Sequence, residues 1–202
     1  LEWEGTEYLV REYVEGISLA ERVDAQGPLT PGQVREVTMS LCQVLDHLHR
    51  QDPPVICRDI KPQNVVIDTS GCCHLIDLGA ARRFRAEQRE DTVFLGTRIT
   101  APPEQFGYGQ TDERTDIYAL GVLMRFLLTG SLEKGNVMPC SGILKKVVNK
   151  CMAFDPAKRY GDIGRVAAAL KIAQHRNKVT KAVVAAFSVC LLYTSPSPRD
   201  CS

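Results

Sequence analysis

The sequence has no excess of charge of either sign, no paired cysteine motif and no apolar run of membrane length. Lys plus Arg number 25 against 24 Asp plus Glu, a net charge of +1. That balance excludes a strongly basic nucleic-acid binder and an acidic disordered tail. Eight cysteines are present, yet no two stand as C-x-x-C. Cys72 and Cys73 are adjacent, which suits neither joint zinc ligation nor a disulfide. The thiols therefore read as reduced and cytosolic, outside any disulfide framework or metal site. The chain starts at Leu1 with no initiator Met and no signal peptide, and reads as opening within a longer sequence. The apolar run Ala182–Val189 has eight residues, where a membrane-spanning helix needs about 20. What is present is 202 residues at 44% apolar content, enough for one domain with a real core.

One stretch organises the rest: VICRDIKPQNVVIDTSGCCHLID, Val55–Asp77. Short apolar runs predict strands at Val55-Ile56-Cys57, Val65-Val66-Ile67 and Leu75-Ile76. Pro62 breaks the chain between the first two, and Ser70-Gly71 turns it between the second and third. The first loop carries Arg58, Asp59, Lys61 and Asn64. Such a polar set is costly beside an apolar sheet unless chemistry needs it there.

The stretch closely resembles the catalytic loop and metal-binding motif of the eukaryotic-type protein kinases, H-R-D-L-x-x-x-N followed by D-F-G. Here it stands as Cys57-Arg58-Asp59-Ile60-Lys61-Pro62-Gln63-Asn64, then Asp77-Leu78-Gly79, with 18 residues from Asp59 to Asp77. The resemblance implies that Asp59 accepts or orients the substrate hydroxyl proton. Lys61 would offset charge on the transferring phosphoryl group. Asn64 and Asp77 would hold Mg²⁺ (or Mn²⁺) bridging the phosphates of ATP. Cys57 stands where the family has His, and a small, weakly polar side chain could fill part of that space. Leu78 replaces Phe, with the packing role expected to survive.

Upstream, Tyr8–Tyr13 is rich in strand formers. By resemblance it is the last strand of the small lobe, running into a hinge at Glu12-Tyr13-Val14 whose backbone would bond adenine. Arg11 would sit behind the adenine, or snorkel to solvent. Gly16–Ala25 reads as a short helix with Ser18 a candidate N-cap. Thr30-Pro31 start a longer helix, with Val34, Val37, Leu41, Leu45 and Leu48 on its apolar face. His47 and His49 read as surface or satisfied helix residues rather than metal ligands.

Downstream, Gly79–Glu104 resembles an activation segment, with 27 residues from Asp77 to Glu104. Gly96–Glu104 matches the G-T-x-x-x-A-P-E region with one extra proline. The resemblance implies that Thr97 bonds Asp59 or Lys61 and favours Ser/Thr substrates. Thr92 is the expected phosphosite, with Arg58 as its partner and Arg82, Arg83 and Arg85 as further cations or merely a solvated face. Glu113–Leu128 is a strongly apolar helix with flanking start and stop signals. By resemblance Asp116 anchors the catalytic loop from below and Arg159 pairs with Glu104. Ile143–Met152 and Ile163–Gln174 read as closing helices.

The expected fold is α+β and protein-kinase-like. Residues 1–14 would be a remnant of the small lobe and hinge, and 15–172 the mostly helical large lobe. Residues 173–181 read as a basic juxtamembrane segment and 182–189 as the start of a transmembrane helix, since basic residues precede the apolar run, the alternative being a buried or amphipathic terminal helix. Residues 190–202 are set aside, because Cys190–Asp200 resembles a translated sequencing adapter. The segment Ala101–Gly121 is similar to membrane-anchored bacterial Ser/Thr kinases. The resemblance thus implies a Ser/Thr protein kinase, cytoplasmic and anchored to the cell membrane. Its partners would be protein substrates, with self-association and autophosphorylation, and no nucleic acid. The family's glycine-rich loop and phosphate-anchoring Lys do not occur in the 202 residues, so this stretch alone is expected to show little or no activity. The alternative is a pseudokinase, a nucleotide-sensing or scaffolding module.

Overall fold

The computed structural model describes residues 2–3, 6–7, 12–83, 101–106, 111–133, 137–140 and 142–173. Two short strands, β1 (Glu2–Trp3) and β2 (Thr6–Glu7), pair antiparallel. Residues 12–15 carry no regular structure and lead into β3 (Gly16–Ser18). The expected strand Tyr8–Tyr13 otherwise lies outside the described residues.

The expected helix Gly16–Ala25 needs correction. Gly16–Ser18 is a strand, and helix α1 spans Leu19–Gln26. The cause is a long-range ladder: Ile17 pairs with Ile67 of β5 (Val65–Asp68). The contact is close enough that a Cβ on Gly16 would come 2.2 Å from the Ile67 carbonyl oxygen. Ser18 remains extended at φ −67°, ψ 156° and caps the helix. Its hydroxyl accepts from the Glu21 amide at 3.2 Å, and Glu21 accepts from the Ser18 amide at 2.8 Å. This reciprocal box satisfies two otherwise orphaned donors.

Helix α2 (Pro31–His49) begins the same way, with Thr30 and Gln33 exchanging bonds and Pro31 in the first turn. Its face Val34, Val37, Leu41 and Leu45 is buried. Strand β4 (Val55–Ile56) follows, then a 3₁₀ turn at Pro62–Asn64, then β5. The next strand, β6, spans Cys73–Leu75. The expected Leu75-Ile76 placed it too late, because the ladder pairs Ile67 with Cys73 and Val65 with Leu75. Ile76 leaves the ladder and donates instead to the Asn64 carbonyl at 2.9 Å. Asp68 closes the hairpin, accepting from the Ser70 amide and hydroxyl, the Cys72 amide and His74. Those bonds, Ser70 and then His74 foremost, hold its carboxyl below the usual range. Strands β3-β5-β6 form one sheet, and β4 pairs with β7 (Arg82–Arg83) in another.

Helix α3 (Glu113–Thr129) is the centre of the core. Asp112 caps its start and Gly130, at φ 71°, ends it in the left-handed conformation that glycine adopts without strain. Ile117, Leu120, Leu123, Met124, Leu127 and Leu128 are essentially inaccessible. α4 (Gly142–Cys151) packs closely on α3: a Cβ on Gly121 would lie 2.7 Å from the Cys151 Cβ. α5, residues 163–173, closes the core with Ile163, Val166 and Leu170. Burial pushes the Cys42 and Cys151 thiols up to about 12, so both behave as small apolar groups. The architecture is α+β, with the helices carrying the core. No described helix is long and apolar enough to cross a membrane. Residues 174–202, with the basic segment and the apolar run, lie outside the described ones.

Candidate active site

The polar loop between β4 and β5 folds back on one carboxylate. Lys61 Nζ lies 2.6 Å from Asp59 Oδ2. Asn64 donates from Nδ2 to both the Asp59 carbonyl and Oδ2, each at 3.1 Å. Pro62 fixes the 3₁₀ turn that swings Asn64 back toward Asp59. Asn64 is buried, whereas the Lys61 and Asp59 side chains keep 23% and 10% of their surface. The ion pair is thus partly open, as a site that receives a ligand must be.

Asp77 is brought to the same place by backbone. The Ile76 amide bonds the Asn64 carbonyl, so Asp77 follows directly on a residue tied to Asn64. Its Oδ1 accepts from the Gly79 amide at 2.8 Å. A Cβ on Gly79 would come 3.0 Å from that oxygen, so glycine lets the turn close. Asp77 is exposed. Leu78 is 45% exposed, which corrects the expectation that it packs like the family's Phe. The local bonds of the Asp77-Leu78-Gly79 turn carry its conformation, and nearly half of this side chain is left open.

The loop is fixed from below. Asp116 on α3 is fully buried and accepts from the amides of Cys57 and Arg58, both at 2.9 Å. His49, the last residue of α2, reaches the same carboxylate through Nε2 at 2.8 Å. Arg58 is buried and stands at φ 67°, an uncommon left-handed conformation for a non-glycine residue. Glu104 and Arg159 form a second buried pair, two-pronged at 2.6 and 2.9 Å. Arg159 also donates to the carbonyls of Ala153, Arg114 and Phe154 and lies over the Tyr118 ring.

Glu12 is exposed and Val14 partly so, in the segment leading to β3. Arg82 and Arg83 lie in β7 by backbone. Arg11, Arg85, Thr92 and Thr97 lie outside the described residues. His49 reads in the sequence as a surface or satisfied helix residue, and its bond to Asp116 makes it the satisfied one; the partner was not legible. A signal was there: it stands four residues beyond Leu45, on the buried stripe of α2, and a polar group there needs a partner.

The oxygen ligands that a hard cation prefers are present in Asp77 and Asn64. Among the described residues no group of three His, Cys, Asp or Glu could hold a metal unaided. Mg²⁺ is usually bound through one or two carboxylates plus substrate phosphates.

Comparison with known proteins agrees in extent. A family model described as protein kinase domain matches residues 2–176. The serine/threonine-protein kinase PknB of Mycobacterium tuberculosis is 35% identical over 126 residues, 61% of this chain and 20% of that protein. PrkC of Bacillus subtilis is 36% identical over 126 residues, 62% of the chain and 19% of that protein. Serine/threonine-protein kinase D of Synechocystis is 32% identical over 174 residues, 76% and 33% respectively. The chain spans about a fifth of the length of the first two.

Proposed function

Because this chain belongs to the protein kinase domain family, we propose that it serves a Ser/Thr protein kinase, transferring the γ-phosphoryl group of ATP to protein hydroxyls. The observation that carries this reading is the convergence of Lys61 and Asn64 on Asp59, with Asp77 one residue from the Asn64–Ile76 bond. In that reading Asp59 orients the attacking hydroxyl and takes its proton, worth about 10²–10⁴-fold in rate. Lys61 faces the phosphoryl group and offsets its charge. Asn64 and Asp77 hold Mg²⁺ or Mn²⁺, which neutralises charge on the phosphates when bound. The backbone at Glu12 and Val14 holds the adenine. Thr97 orients Ser/Thr substrates, and a phosphate on Thr92 is read by Arg58. Glu104, Arg159, Asp116 and Gly79 are scaffolding.

The domain division follows the same reading: residues 1–14 remnant and hinge, 15–172 large lobe, then a basic segment, the start of a membrane anchor, and an adapter-derived end from residue 190. Substrates are proteins, self-association brings autophosphorylation, and the domain works at the cytoplasmic face of the membrane. Retention of Asp59, Asn64 and Asp77 together weighs against a scaffold. The test is Mg²⁺-dependent protection by ATP against heat, together with transfer of labelled phosphate to a basic protein, on the full gene product. Protection that disappears in Asp77→Ala, with transfer to Ser or Thr, supports the enzyme. Protection without any transfer moves the assignment to the nucleotide-sensing module. The 202 residues taken alone, without a glycine-rich loop, should transfer little or nothing.

A further inference from the structure

A cavity of about 320 Å³ opens where the start of α3 meets the strand that leads into the catalytic loop. Pro54 and Ile56 line it from the β4 side, Asp112, Glu113 and Arg114 from the start of α3, and Gly161 from the turn before α5. None of Asp59, Lys61, Asn64 and Asp77 lines it. Its size is at the lower end of the roughly 300–1,000 Å³ of small-molecule sites. Gly161 leaves room at the edge: the nearest atom to a Cβ there would be the tip of Arg165, 4.0 Å away.

The charges around the cavity do not balance. Arg114 is already answered, since its Nε and Nη2 both donate to the Asp112 carboxylate, Nε at 2.9 Å from Oδ2. Asp162, next to Gly161, is held by Arg165 Nε at 3.0 Å. Glu113 is different: it is half-buried and has neither a hydrogen bond nor an ion pair among the described residues. Burial foremost, and then Asp112, Asp162 and Asp116, push its carboxyl up, while His49 pulls it the other way. A half-buried carboxylate with no donor is costly unless something supplies one.

We propose that the cavity binds a primary alkylammonium group, the end of a lysine side chain or of a small free amine, with the Glu113 carboxylate as counter-ion and Pro54 and Ile56 against the stem. An ammonium brings three donors and no acceptor, which is what an unanswered carboxylate needs. An anion would find the Arg114 guanidinium taken and Glu113 repelling it. A neutral apolar guest would bury Glu113 further without a partner. The amine site stands apart from the kinase reading. Its occupant would nevertheless touch β4, which runs straight into the loop that bears Asp59.

The test is titration of the full chain with n-butylammonium chloride, read at the amides of Ile56, Glu113, Arg114 and Gly161 by nuclear magnetic resonance. Their shifts should move together and saturate. Glu113→Gln, which keeps the shape and removes the charge, should weaken binding by about tenfold. Equal affinity in Glu113→Gln, or shifts that never saturate in the unaltered chain, would overturn the proposal. Should Glu113→Gln not fold, n-butanol on the unaltered chain decides. It has the same stem without the charge, so binding as tight as that of butylammonium sinks the site, and much weaker binding supports it. Two further probes separate the sources: acetyl-lysine amide presents the lysine side chain, and 1,4-diaminobutane a free amine. Saturation by either at the same four amides supports the site, and the tighter one names the source. No readout involves phosphoryl transfer, so failure of the amine site and failure of the kinase reading are separately visible.

Discussion

The Arg159–Glu104 pair and the Lys61–Asp59 pair share a closest approach of 2.6 Å, yet their surroundings differ. The first is sealed, its side chains 0% and 6% exposed, and Arg159 spends its remaining donors on three backbone carbonyls. The second keeps 23% and 10% of its surface. A sealed pair cannot be broken without leaving a buried charge unanswered. A pair that keeps some contact with water can lose a partner, or exchange it for a ligand, at a smaller cost than a sealed one. The same chemistry therefore serves as scaffold in one place and as working site in the other.

That contrast can be broken at several points. The largest expected effect is on rate: Asp59→Ala should lower phosphoryl transfer by about 10²–10⁴-fold while costing less stability than loss of the sealed pair. Denaturant titration beside a transfer assay reads both. Next, Glu104→Ala should destabilise by about 3–5 kcal/mol, because the Arg159 guanidinium is left buried. A shift of the urea midpoint much smaller than that would place the pair among ordinary surface bridges. Third, Gly121→Ala adds a methyl where α4 already touches α3, and should cost about 1–3 kcal/mol through overpacking. The same measurement checks it, with Gly161→Ala as a control in a roomier place, its nearest contact being a side-chain nitrogen at 4.0 Å. The smallest effect is local: Thr30→Ala removes the cap of α2 and should cost about 1 kcal/mol, visible as faster amide exchange in the first turn of that helix.

Much of this was legible in the sequence because it is encoded locally. The spacing of Arg58, Asp59, Lys61 and Asn64 within one loop announces the site. Thr30-Pro31 and the stripe from Val34 to Leu45 give α2, and the flanks of Glu113 and Thr129 give α3. What escaped is what depends on distant partners. Gly16–Ser18 looks helical until β5, some fifty positions later, claims its backbone. Cys73 and His74 are poor strand signals, and only the ladder to Ile67 and Val66 makes them one. Leu78 matches Phe in apolar character, but apolar character alone does not supply a surface to bury against. The role of His49 needed Asp116, 67 positions away, to be seen.

The division of labour between the two pairs meets its most direct test in a single-turnover assay. Asp59→Ala and the unaltered full gene product are compared at saturating Mg²⁺ and ATP, with rates normalised to the folded fraction. The account predicts a loss of at least about a hundredfold in rate with the folded fraction unchanged. An undiminished rate, or a rate that falls only in step with unfolding, would contradict it.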